Sequence, residues 1–311
     1  MVAGRDPSTV PERYAAIDIG TNSVLLLVAE RRDGRFAAVA ERAEITRLGR
    51  GVDRTGALSP EGMEATLRCL ESYASQARAL GALQIAATAT SAARDASNGA
   101  IFLEQARTRA GVTVEIISGD EEAELSFAAA RADFGAGPLV VLDIGGGSTE
   151  FIYGSGEVQY RRSFDVGSVR LTERFVTAHP IPAPERDAVR AHLQATFSAL
   201  PPPPENARLI GIAGTVTTLY ALQHRVDPYE AALVHGRDLT RAELAALSTA
   251  LCAASLEERR RMPGLQPGRA DVICAGALVL EAAMDRLHIR TCTVSDRGVR
   301  WGLLARRFGG A

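Results

Sequence analysis

The chain has 311 residues, 46% apolar and 23% charged, with a formal net charge of −2, and all of its Lys+Arg count is arginine. That length allows about two domains with sizeable cores. The charge balance supplies no global field for nucleic acid or another polyanion, so any grip on one must come from local arginines, and the absence of lysine excludes a Walker-type phosphate-loop lysine and a Schiff-base lysine.

In chain order, residues 1–12 are polar and contain proline, and read as a frayed tail. Apolar strands follow at 14–19, 24–30 and 36–41, the last two joined by a hairpin signal at Asp33-Gly34. Ser59 followed by Pro60 marks an N-cap and first turn, and predicts a helix to Leu80 that stops at Gly81. A strand at 83–87, a helix over 100–110 stopped by Gly111 and a strand at 114–117 come next. Ser118-Gly119-Asp120-Glu121-Glu122-Ala123 opens a helix to about Asp133, which Gly135–Pro138 breaks. Strands at 139–142, 151–153 and 158–163 then repeat the opening order, an internal duplication at domain scale. Pro201–Pro204 is expected to be a rigid connection between a helix over 184–199 and a strand over 208–213. The resulting partition is residues 1–125, joined by the C-terminal helical segment 297–311, and residues 126–296.

Cys69, Cys252, Cys274 and Cys292 form no C-x-x-C pair and read as buried, reduced thiols. The N-terminal segment carries no signal-type apolar run, and the apolar helix around Val272–Leu280 is too short to span a bilayer. A cytoplasmic protein without membrane or nucleic-acid partners is the expectation.

A glycine loop occurs twice. Asp18-Ile19-Gly20-Thr21-Asn22-Ser23 follows one apolar strand, and Asp143-Ile144-Gly145-Gly146-Gly147-Ser148 follows another. Glycine lets backbone amides approach an anion, and the Thr, Asn and Ser side chains add donors. An Asp beside a phosphate suggests a cation between them. Gly211-Ile212-Ala213-Gly214-Thr215 lies between a strand and the helix Val216–His224, where free amides at a helix N-terminus suit a phosphate or nucleotide, or simply form a tight connection. Glu121 and Glu122 point about 100° apart on a helix, so only one faces a given site, and the acidic trio could equally stabilise the helix end.

These segments resemble the two phosphate loops and third glycine segment of the actin-like ATPase superfamily. With Ala87–Arg94, Ile116–Ala123, Val166–Glu173, Arg269–Ile273 and Ser295–Arg300, the chain from 14 to 308 resembles the exopolyphosphatase/guanosine pentaphosphate phosphohydrolase (Ppx/GppA) family. The resemblance implies an α/β fold of two actin-like (ribonuclease H-like) domains, each a mixed five-stranded sheet flanked by helices around an interdomain cleft. It implies Glu122 as the catalytic carboxylate. Asp18, Gly20, Thr21, Asn22, Ser23, Gly145, Gly146, Gly147, Ser148, Gly214 and Thr215 become phosphate contacts, with Arg94 neutralising a polyphosphate end. Asp143 and Glu150 become ligands of Mg²⁺ or another divalent cation, although Glu150 could be a plain strand carboxylate. Arg47 and Arg170 are further candidates to grip the chain, each equally a surface ion pair, and His235 reads as structural.

The implied substrates are inorganic polyphosphate or, alternatively, guanosine pentaphosphate (pppGpp), in a homodimer. A small-molecule kinase and a non-catalytic sensor are more distant alternatives. The helical C-terminal domain of longer relatives has no counterpart here. Thr21 stands where Ser is usual, and Trp301 stands where the family often has Glu or Tyr.

Overall fold

In the computed structural model, which describes residues 11–32, 34–135 and 137–309, the duplication appears as two mixed sheets flanked by helices. Most of the tail expected over 1–12 lies outside the described residues, as do Asp33 of the expected hairpin turn, Ala136 and the last two residues of 297–311. The first half runs β1 (Arg13–Ile19), β2 (Ser23–Arg32), β3 (Arg35–Ile45), a short α1 (Val52–Thr55), α2 (Pro60–Ala79), β4 (Ala82–Ala89), a short α3 (Ser91–Asp95), α4 (Gly99–Ala110), β5 (Val114–Ile116) and α5 (Gly119–Phe134). Its five-stranded sheet has the order β3-β2-β1-β4-β5. The three strands of the opening meander pair antiparallel, and β4 and β5 add in parallel.

The second half runs β6 (Leu139–Ile144), β7 (Thr149–Ser155), β8 (Glu157–Phe164), α6 (Ser168–Phe175), α7 (Ala183–Phe197), β9 (Arg208–Ile212), α8 (Ala213–His224), a short α9 (Ala231–Val234), β10 (Asp238–Thr240), α10 (Arg241–Ala253), a short α11 (Leu256–Arg260), a 3₁₀ turn (Pro267–Arg269), α12 (Ile273–Leu287), β11 (Thr291–Val294) and α13 (Val299–Phe308). Its sheet, β10-β11-β9-β6-β7-β8, repeats the first with one addition. Three-residue β10 pairs antiparallel on β11 and makes six strands where five were expected. The four cysteines are buried and free, and among the described residues no helix is long and apolar enough to cross a membrane.

Two helices cross between the halves. Ala123, Phe127 and Ala130 of α5 pack on the second sheet against Val141, Ile152 and Ile210. Leu125 and Ala129, on another stripe of α5, join Leu303 and Leu304 of α13 over Tyr14, Ala16 and Leu27 of the first sheet. The expected partition at 125/126 therefore passes through a helix that serves both sheets. Residues 122 and 126 lie between the two apolar stripes, which turns Glu122 and Ser126 toward the cleft.

Candidate active site

Each glycine loop is a tight turn closed in the same way. Gly20 N donates to Ser23 O, and Gly145 N to Ser148 O, both at 3.0 Å. In the second loop, the first turn of α6 holds three successive carbonyls. Ser168 N donates to Gly145 O (3.0 Å), Val169 N and Arg170 N to Gly146 O (2.8 and 3.1 Å), and the Arg170 Nε to Gly147 O (2.8 Å). A trans peptide points its N–H opposite to its C=O, so the Gly146, Gly147 and Ser148 amides are turned the other way. None of the three donates to an acceptor among the described residues. In the first loop the segment after β3 does the same for two carbonyls: Gly49 N donates to Thr21 O (2.8 Å), and Thr46 N and Arg47 N to Asn22 O (3.1 and 3.0 Å).

The two loops meet. A Cβ on Gly147 would lie 2.3 Å from Ser91 Oγ, and one on Gly146 would lie 2.9 Å from the Thr21 Cβ, so side chains at these positions would force the halves apart. Between them a cavity of about 200 Å³ is lined by Asp18, Gly20, Thr21, Asn22, Ser23, Glu122, Asp143, Gly145, Gly146, Gly147, Ser148, Gly214 and Thr215. The sequence-derived set is thus brought together apart from Arg94 and Glu150, which are not among the lining residues.

Glu150 is directly opposite Asp143 in the β6–β7 register and is fully buried, with Ser163 Oγ donating to its Oε1 at 2.6 Å. Arg94 lies behind Glu122, its Nη1 3.8 Å from Glu122 Oε2 and donating to Ile117 O at 3.2 Å. Arg47 and Arg170 both spend their guanidinium groups on carboxylates across the seam, Arg47 on Asp271 (2.8 Å) and Arg170 on Asp53 and Asp95. His235 lies outside the cavity, accepting from Asp296 N at 3.3 Å. Trp301 is buried over the first sheet, with the Arg297 guanidinium 4.2 Å above its ring.

The acidic trio divides its labour. Glu121 turns back onto Ser118 N (3.1 Å) while Ser118 Oγ accepts from Glu121 N, a capping box that satisfies two orphan amides of α5. Glu122, one position on, is buried in the cleft wall. One turn below it, Ser126 Oγ donates to Asp143 Oδ2 at 3.0 Å.

Burial pushes four carboxyls up. Asp18 rises to about 7, with Asp143 adding to the effect and Arg300 opposing it. Asp143 rises to about 6 and Glu150 to about 8. Glu122 rises well above the usual carboxylate range, through burial first, then Glu150, Asp143 and Asp18, against the pull of Arg94. Asp18 Oδ1, Glu122 Oε2 and Glu150 Oε2 are buried without a hydrogen-bond partner. Unpaired buried carboxylate oxygens call for protons or a cation.

Sequence reasoning missed Arg269. Its guanidinium lies so close over Gly214 that a Cβ there would be 2.5 Å from an Nη, and it reaches Ser23 Oγ at 3.3 Å. Burial draws it down to about 10, which leaves it protonated at neutral pH, and among the described residues it has no carboxylate within ion-pair distance. Arg300 was also unassigned. It lines the cavity beside Asp18, anchored by Leu26 O at 3.1 Å. Both lie in segments that carry the family resemblance, Arg269–Ile273 and Ser295–Arg300, but only tertiary folding shows that these side chains reach the cleft.

Residues 27–309 match the Ppx/GppA phosphatase family. The chain belongs to that family. Its members hydrolyse phosphoanhydride bonds, and this chain is a hydrolase of that class. It is 38% identical to exopolyphosphatase 2 of Mycobacterium tuberculosis, over 94% of this chain and 97% of that protein. It is 33% identical to the guanosine-5'-triphosphate,3'-diphosphate pyrophosphatase of Vibrio vulnificus, over 93% of this chain but only 58% of that longer protein. Among solved structures, the Aquifex aeolicus Ppx/GppA enzyme superposes with a TM-score of 0.80 at 33% identity, over 96% of this chain and all of that one.

Proposed function

We propose that the cleft removes the terminal phosphate of inorganic polyphosphate as orthophosphate, with Glu122 as the base that activates the attacking water. Glu122 carries this reading: a buried carboxylate in the wall of the cavity that the second loop also lines. The amides of that loop and the Gly214–Thr215 helix end bind the terminal phosphate oxygens, and Arg269 adds a positive charge without carboxylate competition. The Glu122 carboxylate takes the proton as water attacks the terminal phosphorus in line with the departing phosphate chain. Arg94, at its back, favours the ionised form.

The residues fit a divalent cation such as Mg²⁺. Asp143 and Asp18 line the cavity, the charge of Asp143 raises Asp18 against only partial relief from Arg300, and Asp18 Oδ1 is buried without a hydrogen-bond partner. Mg²⁺ takes one or two carboxylates plus phosphate and water, which matches such a site. Asp143 would hold it, with Glu150 behind; when bound, the ion neutralises phosphate oxygens. A homodimer in the cytoplasm completes this reading, on the family resemblance.

A second reading, pppGpp hydrolysis, draws support from the same cavity. It extends past the second loop to Thr217, Thr218, Tyr229 and Gln266, a wall of hydroxyl, ring and amide groups suited to a nucleoside. Orthophosphate release from polyphosphate and from pppGpp with Mg²⁺, using Glu122→Ala as control, separates the two. Unchanged turnover in that variant would remove Glu122 as the base. Phosphorylation of an acceptor from ATP would indicate a kinase, and tight binding without turnover a sensor.

A further inference from the structure

Arg170 joins parts of the cleft that otherwise belong to different halves. Its side chain is only 14% exposed. Its Nε holds the carbonyl of Gly147 at 2.8 Å, the last of the three clamped carbonyls of the second loop and the only one held by a side chain alone. Its Nη2 lies 2.6 Å from Asp95 Oδ2, and its Nη1 binds Asp53. Both carboxylates belong to the first half. Asp95 also faces Arg94, whose Nε is 3.7 Å from Asp95 Oδ1, and Arg94 in turn backs Glu122. A continuous run of polar contacts thus links Gly147, Arg170, Asp95, Arg94 and Glu122.

We infer that Arg170 is a positioning residue that ties the aim of the second phosphate loop to closure of the two halves. The peptide between Gly147 and Ser148 is planar, so holding its carbonyl at the rear fixes its N–H toward the cavity. A guanidinium is a rigid planar fork, and its three acceptors are arranged so that all are met only when Asp53 and Asp95 stand against α6. Separation of the halves withdraws both carboxylates and loosens the grip on Gly147. The Ser148 amide is then aimed only in the closed cleft. A lysine, with a single ammonium, can satisfy part of this set.

The inference rests on the phosphohydrolase reading, and two readouts keep their failures apart. Steady-state orthophosphate release would be measured with Mg²⁺ at fixed pH for wild type, Arg170→Gln, Arg170→Lys, Asp95→Asn and the Arg170→Gln/Asp95→Asn pair. Pyrophosphate binding to the same proteins would be measured by calorimetry. Arg170→Gln is expected to lower kcat by about 10- to 100-fold, the scale of a misaligned backbone donor, with a smaller change in KM. Arg170→Lys should recover part of that loss, and the double variant should be no worse than Arg170→Gln alone, since both changes break one linkage. Pyrophosphate should bind Arg170→Gln about tenfold more weakly, whether or not the protein turns over either substrate. A kcat within twofold of wild type with unchanged pyrophosphate binding, or fully additive losses in the double variant, would overturn the inference. If Arg170→Gln does not fold, Asp95→Asn decides from the other half: a kcat loss supports the linkage, and a wild-type kcat refutes it.

Discussion

The two glycine loops share a turn and differ in what stands behind it. In both, an Asp ends a strand, a glycine amide closes the turn at 3.0 Å and a following segment pins the loop carbonyls from the rear. The register then separates them. Asp18 pairs across its hairpin with Leu25, whereas Asp143, at the same spacing, pairs with Glu150. The second loop has three clamped carbonyls, a hydroxyl from α5 on its Asp and a second carboxylate underneath. The first has two clamped carbonyls and an apolar neighbour. Equivalent backbones thus support unequal surroundings: one loop carries a single carboxylate, and the other gathers a second one and stands close to Glu122.

The largest expected effect tests what the second loop serves. Glu122→Gln should lower kcat for orthophosphate release on the order of 10³-fold, because it removes the proton acceptor while preserving shape. The loops themselves are compared by Asp143→Asn and Asp18→Asn. The first should cost on the order of 10²-fold and raise the Mg²⁺ concentration needed, the second about tenfold, and equal losses would break the asymmetry. Arg269→Gln should raise KM about tenfold with kcat less affected, since its charge meets substrate rather than water.

Stability sharpens the comparison further. Asp18 at about 7, Asp143 at about 6 and Glu150 at about 8 keep protons that the unfolded chain releases near pH 4. The folded state therefore binds more protons in that interval, and stability without a divalent cation should fall as pH rises from about 4 to about 8. Urea melts across that range should show the decline, and Mg²⁺ should reverse it at the alkaline end. The smallest change is Glu150→Leu, which gives the second loop the first loop's partner. It should flatten the alkaline decline in the same melts while lowering turnover, because a buried carboxylate with an unpartnered oxygen is lost.

Much of this arrangement was legible in the chain. Spacing showed only that one of Glu121 and Glu122 can face a given site, and the family resemblance chose Glu122; the doubled Asp-x-Gly turn and the Ser59 and Ser118 helix starts follow from local spacing alone. So does the contrast of Leu25 with Glu150, each seven residues after its Asp. Where local signals are short, the reading stopped. β10 and β11 have three and four residues, too few to show alternation. α10 opens with a Thr240–Glu243 capping box that the spacing would have revealed. The placement of Arg269 over Gly214, and the capture of Arg170 by Asp53 and Asp95, depend on long-range packing that no window of sequence contains.

The crossed helices have a consequence for what holds the cleft in shape. At Gly302, α13 comes so close to α5 that a Cβ would lie 2.1 Å from the Leu125 carbonyl oxygen. α13, which follows both sheets in the chain, thus completes the face of β1. Without α13, Tyr14, Ala16 and Leu27 lose the cover of Leu303 and Leu304, and an exposed apolar face of this kind favours aggregation. The wall that carries Glu122 gains its final support only when α13 docks, so the shape of the cleft depends on a helix far from it in sequence.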